Sequence, residues 1–167
     1  SGLRDKVVLM TKFGLRWNLK KGSKYFTTTH TQGNEIDLYR YSGPESVIQE
    51  CELSLKRLKT DYIDVYQIHW PVPDADIEEA WGAIADLVQE GKVRYAGVSN
   101  ASVGQMKRLQ PIHPIAALQP PYSMLERDVE ADLLGFCAAN EIGVIVYSPM
   151  QTGLLTGKYS KERVDAL

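Results

Sequence analysis

The sequence predicts an α/β fold in which helices cover a mainly parallel sheet, and three observations predict it. Short runs rich in apolar and β-branched residues alternate with longer stretches of helical period. The strand-like runs are apolar on both faces, as strands covered by helices are. Each run ends in polar residues: Lys12, His69, Ser99 with Asn100, Gln119, and Tyr147 with Ser148.

The first element, "KVVLMTK", reads as a buried strand ending at Lys12. From Phe13 to Gly43 the chain is polar, aromatic and glycine-dotted, longer than the usual connection in a compact domain, and reads as a functional or mobile loop. "SGPESVIQECELSLKRLK" predicts a helix capped by Ser42 or Gly43, with Pro44 in its first turn and Val47, Ile48, Cys51, Leu55 and Leu58 at helical spacing. The strand "YIDVYQIH" follows. "DADIEEAWGAIADLVQEGK" then sets Ile77, Ala80, Trp81, Ile84, Leu87 and Val88 on one stripe and stops at Gly91. "VRYAGVSN" is a strand, "ASVGQMKRLQ" a short helix, "IAALQ" a strand, "VEADLLGFCAANE" a helix and "GVIVYSPM" the last strand, five strands in all.

The 167 residues are enough for one ordinary core, and no shift in composition marks a boundary, so residues 1–167 read as a single domain. Nineteen basic against twenty-one acidic residues leave a net charge of −2, with no basic run to track a phosphate backbone, so nucleic acid is not expected as a partner. No apolar run approaches the roughly 20 residues that span a bilayer, and "SGLRDKVV" lacks the layout of a signal peptide. Cys51 and Cys137 fall among apolar helix residues and read as buried thiols of a reducing compartment. The expected location is cytoplasmic.

In a parallel α/β fold the carboxyl ends of the strands share one face, where ligands bind. His69 and Lys12 are thereby delivered to a common rim. A lone polar residue at a strand end is more often solvated than catalytic, but five strand ends each offer a titratable or hydrogen-bonding group. "GLLTGKY" is not a P-loop, which takes four residues between its glycines and a Ser or Thr after its lysine; here there are three, and Tyr159 follows. Such a turn can still approach a phosphate through its N–H groups, with Lys158 adding charge. Metal-ligand spacing, a nucleophile elbow and GxGxxG are all absent.

The segments "VVLMTKFG", "SVIQECELSLKRLKTDYIDVYQIHWP", "GKVRYAGVSN", "LQPPYS" and "VIVYSPMQTGLLTGKY", in this order, resemble the aldo-keto reductases, most closely the prokaryotic and potassium-channel-β-subunit-like branch. The resemblance implies a (β/α)8 TIM barrel that reduces aldehydes or ketones with NADPH, without metal, using an Asp, Tyr, Lys and His tetrad. Lys12 is similar to the tetrad lysine, whose charge lowers the pKa of the tyrosine, and His69 to the histidine that hydrogen-bonds the substrate carbonyl. Ser99, Asn100 and Gln119 match the positions that hold the nicotinamide carboxamide, and Tyr147 the aromatic on which the nicotinamide stacks. Ser148, Pro149, Met150, Gln151, Gly153, Leu154 and Lys158 match the loop near the cofactor pyrophosphate. Trp17 and Trp70 would line an apolar substrate pocket.

The family's Asp and Tyr lie ahead of "VVLMTK", outside these residues, and so do its eighth strand and its 2′-phosphate-gripping segment. The chain is therefore expected to be an internal part of a longer reductase, covering about strands three to seven of a barrel that takes roughly 250 residues. Two other readings fit less of the sequence: a non-catalytic nucleotide-binding or regulatory subunit, which His69 disfavours, and a five-stranded flavodoxin-like module. Substrate identity, NADPH against NADH, and oligomeric state stay open. The 167 residues by themselves are expected to show no turnover, which NADPH consumption with an activated aldehyde and the purified chain would check.

Overall fold

A computed structural model describes residues 2–71 and 77–165. Five parallel strands form the main sheet in the order β1 (Met10–Phe13), β5 (Ile63–Ile68), β6 (Val93–Ser99), β7 (Ala117–Gln119) and β8 (Gly143–Val144). Helices α1 (Pro44–Leu58), α2 (Ile77–Gln89), α3 (Val103–Leu109) and α4 (Leu133–Ala139) connect them, and α5 (Lys161–Val164) is the last described helix. The expected alternation is present and the five expected strands make the main sheet, but three further strands lie outside the sequence reading.

The core lies between the sheet and its helices. α2 buries Ile77, Ala80, Trp81, Ile84 and Leu87, the stripe read from the sequence, and the Trp81 indole donates to the His113 carbonyl at 2.9 Å. The predicted start of this helix at Asp74 falls outside the described residues. In α1, Gly43 is the N-cap and Pro44 opens the first turn, while Val47 and Cys51 are buried. Ile48 and Leu58 are exposed, contrary to the predicted stripe, because the buried face runs through Ser46 and Ser54 instead. Ser46 accepts from buried Arg16 at 2.6 Å, which makes a polar residue the better fit there. Both cysteines are free and buried; burial pushes the Cys51 thiol up to about 11.

Three sequence expectations are corrected. "KVVLMTK" is not a buried strand: only Met10–Phe13 is extended in the sheet, and Val8 is 70 % exposed. β1 pairs with β5 alone among the described residues. The stretch from Phe13 to Gly43 is not a loop but carries an antiparallel sheet of β2 (Leu15–Arg16), β4 (Glu35–Arg40) and β3 (Ser23–Thr29). β3 lacks the apolar alternation of a half-buried strand and is almost wholly exposed, whereas residues 35–38 of β4 do alternate charged and apolar side chains over a run too short to stand out. Lastly, "GVIVYSPM" is a strand only over Gly143–Val144, after which the chain touches the sheet again through a bridge between Pro121 and Tyr147.

The fifteen-residue α1 and the α2 stripe make core truncation costly. Ile84→Ala should lower the unfolding free energy by about 2–5 kcal/mol, whereas exposed Ile112→Ala should change it by about 0.5 kcal/mol or less, as read by urea unfolding.

Candidate active site at the carboxyl ends of the strands

Side-chain alternation decides what each strand presents. In β5, the Tyr66 hydroxyl donates to the Val47 carbonyl of α1 at 3.1 Å, so Tyr66 faces the helices and Gln67 the opposite side. Lys12 is the register partner of Gln67 across β1, and Gly97 its partner across β6. A Cβ on Gly97 would come within 3.0 Å of Gln67 Cγ and 3.2 Å of Val65 Cγ1; the bare glycine is what lets Gln67 lie across β6. Two residues further along each strand stand His69, Ser99 and, from β7, Gln119. One face of the sheet thus gathers Lys12, His69, Ser99 and Gln119 near its carboxyl rim.

Asn100 ties the rim together. Its backbone is left-handed, with φ 58°, a conformation asparagine tolerates better than most residues. Its amide Nδ2 donates to the His69 carbonyl at 3.0 Å and to Ser99 Oγ at 3.1 Å, and its Oδ1 accepts from the Tyr147 hydroxyl at 2.8 Å. The Asn100 N–H donates to the Gln119 carbonyl at 3.2 Å, an oxygen that also accepts from Ser99 Oγ at 2.8 Å. The ends of β5 and β6 and the chain beyond β8 therefore meet on one carboxamide, and the end of β7 on the backbone N–H of the same residue. The Gln119 Oε1 is buried without a hydrogen-bond partner, and so is Gln67 Nε2 one layer below.

The remaining positions expected to face the cofactor run on from this rim. Ser148 and Gln151 adopt left-handed backbone, Pro149 and Met150 are exposed, and Gln151 donates to Ser123 Oγ at 2.7 Å and to Glu126 Oε2 at 3.2 Å. Gly153, with φ 93°, and Leu154 lie in the kinked 3₁₀ segment Gln151–Thr156, and Lys158 follows it. Ser123 and Glu126, the anchors of this loop, were missed by the sequence reading because nothing in "YSMLERD" departs from an ordinary polar turn.

Lys12, Trp17 and His69 share a cleft of about 170 Å³ that Arg16, Leu53 and Arg57 also line. Trp70 does not line this cleft; its ring stacks on His69, centroids 5.7 Å apart and 21° from parallel. Burial lowers the Lys12 pKa from its usual value, and no described carboxylate pairs with it. His69 is lowered too, chiefly by burial and then by the positive charge of Lys12. Tyr147 is raised by burial, with the nearby Glu126 and Tyr25 adding to it. A neutral imidazole beside a cation, in a half-buried cleft, is a pair of donors suited to an oxygen that gains negative charge.

The aldo/keto reductase family matches residues 1–165. The NADH-specific methylglyoxal reductase of Escherichia coli (strain K12) is 37 % identical over 164 residues, covering 96 % of this chain and 48 % of the relative. Among solved structures, a glycerol dehydrogenase from Gluconobacter oxydans superposes with a TM-score of 0.83 at 35 % identity, over 94 % of this chain and 45 % of that one. An aldo-keto reductase from Klebsiella pneumoniae in complex with NADPH gives 0.69 at 31 % identity, over 92 % and 46 %. This chain belongs to the aldo/keto reductase family. Its parallel sheet and helices are an arc of that family's (β/α)8 barrel, and the chain spans about half the length of these relatives.

Because both causes disfavour the charged ring, His69 should titrate below 6.5, followed by its imidazole proton resonances. Lys12→Met should move that pKa upward by removing the like charge. A histidine depressed in the fold contributes stability in full above its unfolded value of about 6.5, and that contribution is lost as pH falls through the folded pKa.

Proposed function

We propose that this chain supplies Lys12, His69 and the nicotinamide-facing rim of an NADPH-dependent reductase that converts aldehydes or ketones to alcohols, as an internal part of a longer barrel. The observation that carries the reading is the placement of Lys12 and His69 on one face of the sheet at the carboxyl ends of its strands. The family membership and the NADPH complex of the Klebsiella pneumoniae relative support the same cofactor for this chain.

The rim fits a nicotinamide carboxamide on its own chemistry. Gln119 Oε1 is a buried acceptor that lacks a donor, and an amide N–H₂ supplies one. Ser99 Oγ and Asn100 are already bonded within the rim and serve to fix Gln119 and Tyr147 in place. Tyr147, its hydroxyl held by Asn100, offers a ring of set orientation for stacking. The loop from Ser148 to Gln151, with Gly153, Leu154 and Lys158, is the pyrophosphate-facing part. When bound, NADPH would supply the hydride, and the proton that completes the alcohol would come from the tetrad tyrosine of the longer barrel.

His69, neutral at physiological pH, donates an N–H to the substrate carbonyl oxygen and turns the carbonyl toward attack. Lys12 sets a positive charge beside that oxygen and stabilises the negative charge growing on it. The Trp17 ring lines the same cleft and shields it from water, and Trp70 stacked on His69 limits the rotation of the imidazole. With the full-length protein, reduction of an activated aldehyde should consume NADPH, with NADH run in parallel. His69→Ala and Lys12→Met should each lower kcat by about 10²–10⁴-fold. Wild-type protein that consumes neither cofactor with any of a panel of aldehydes and ketones would overturn the reading.

A further inference from the structure

The antiparallel sheet contributes a cation that the reductase reading does not use. Arg40 ends β4, the central strand of that sheet, with Leu15 of β2 and Ser23 of β3 as its register partners. Its backbone is tightly fixed: Gly22, at φ 81°, packs so close to the Arg40 carbonyl oxygen that a Cβ there would lie only 2.0 Å away. The register of β3 against β4 slips between Lys24 and Phe26, which puts Tyr25 in a bulge. A bulge re-aims the side chain it carries. The Tyr25 ring centroid lies 3.8 Å from the Arg40 guanidinium carbon, and the Trp70 centroid lies 5.2 Å from it.

Both rings attract the cation through their faces, yet take none of its N–H donors, which lie in the guanidinium plane. No described acid pairs with it. Asp37 is engaged by Lys24 at 2.7 Å and Thr27 at 2.6 Å, and alternation along β4 sets Glu35 and Asp37 on the face opposite Arg40. Arg40 Nε is buried with no hydrogen bond at all. A half-buried guanidinium flanked by two rings, with its donors unspent and no counter-charge among the described residues, is suited to a planar, bidentate anion.

Its location gives that anion a context. Trp70 is in ring contact with both Arg40 and His69, and Tyr25 is near enough to Tyr147 to oppose its ionisation. Arg40 therefore stands one aromatic ring away from the proposed carbonyl site. We propose that Arg40 is a specificity-determining residue which accepts a carboxylate carried by the carbonyl substrate, with Tyr25 and Trp70 holding its guanidinium in place. This inference rests on the reductase reading and names the class of its substrate: short oxo-acids in preference to neutral aldehydes or ketones.

The test uses the full-length protein and measures binding before turnover. Succinate and its neutral diamide, succinamide, have no reducible carbonyl; each is titrated calorimetrically into wild type, Arg40→Met and Arg40→Lys, with NADP+ titrated alongside. Wild type should bind succinate about tenfold or more tightly than succinamide, Arg40→Met should abolish that preference, and Arg40→Lys should restore part of it. In turnover, the preference for succinic semialdehyde over its methyl ester, as a ratio of kcat/KM, should fall by about the same factor, mostly through KM. Equal binding of the two ligands by wild type overturns the proposal, as does an Arg40→Met variant that keeps the preference. If Arg40→Met weakens NADP+ and leaves succinate unchanged, the anion belongs to the cofactor and the proposal is wrong. If Arg40→Met does not fold, the wild-type comparison decides, since succinate binding alone should weaken with added salt. A protein that binds succinate through Arg40 but reduces no carbonyl would sink the reductase reading and leave the anion site standing.

Discussion

The rim depends on the Asn100 carboxamide and on the left-handed turn that aims it. Three separate segments converge on that one side chain and its backbone, through the His69 carbonyl, Gln119 and Tyr147, and the neighbouring Ser99 joins them. Each strand end leaves the sheet with backbone groups that need partners, and a residue that both donates and accepts can serve several at once. A hydrophobic residue at this position would leave the Tyr147 hydroxyl and the His69 carbonyl to find water. The spacing of the polar row is thus set by hydrogen bonds among the strand ends, and the bound chemistry inherits that spacing.

At the other end of β5 a different device holds the sheet. Asp64 is buried, which works against its ionisation, yet its pKa is lowered because it accepts from the Leu9 N–H at 2.8 Å and pairs with Arg4 at 2.8 Å and Arg94 at 3.0 Å. Two arginines and a backbone amide satisfy one carboxylate and link the segment before β1, β5 and β6. The contrast with Arg40 is instructive: here a buried charge has its partners within the chain, while among the described residues Arg40 is met by the Tyr25 and Trp70 rings and no acid. Paired charge serves the scaffold, and uncommitted charge collects where strands end.

Much of the architecture was legible because the covering helices and central strands obey simple periods. Ile77 through Leu87 declare their face by spacing, and Ile63–Ile68 is buried at every position, as its composition says. Lys12 and His69 were legible as strand ends, and their meeting in one cleft follows from parallel topology. What stayed hidden was set by contacts distant in sequence. Val7 and Val8 look like strand interior, but the paired strand begins only at Met10. Tyr25 and Arg40 sit fifteen positions apart on two different strands, and only the bulge and the pairing of β3 with β4 bring their side chains together. Asn100 read as one polar strand end among several; its hub role needs the turn geometry, which no local pattern announces.

Cys51 carries a consequence of a different kind. It is fully buried at the middle of α1, against the sheet, and its thiol is held at about 11. Reaction with an electrophile needs the thiolate, so in the closed fold at neutral pH this sulfur is almost inert. Labelling of Cys51 by a thiol reagent therefore proceeds through opening of α1 from the sheet, and its rate becomes a clock for that opening. Cys137 in α4, also buried, gives a second clock on the far side of the same sheet. The two thiols together would report whether the arc opens as one unit or lets go first at its β8 end.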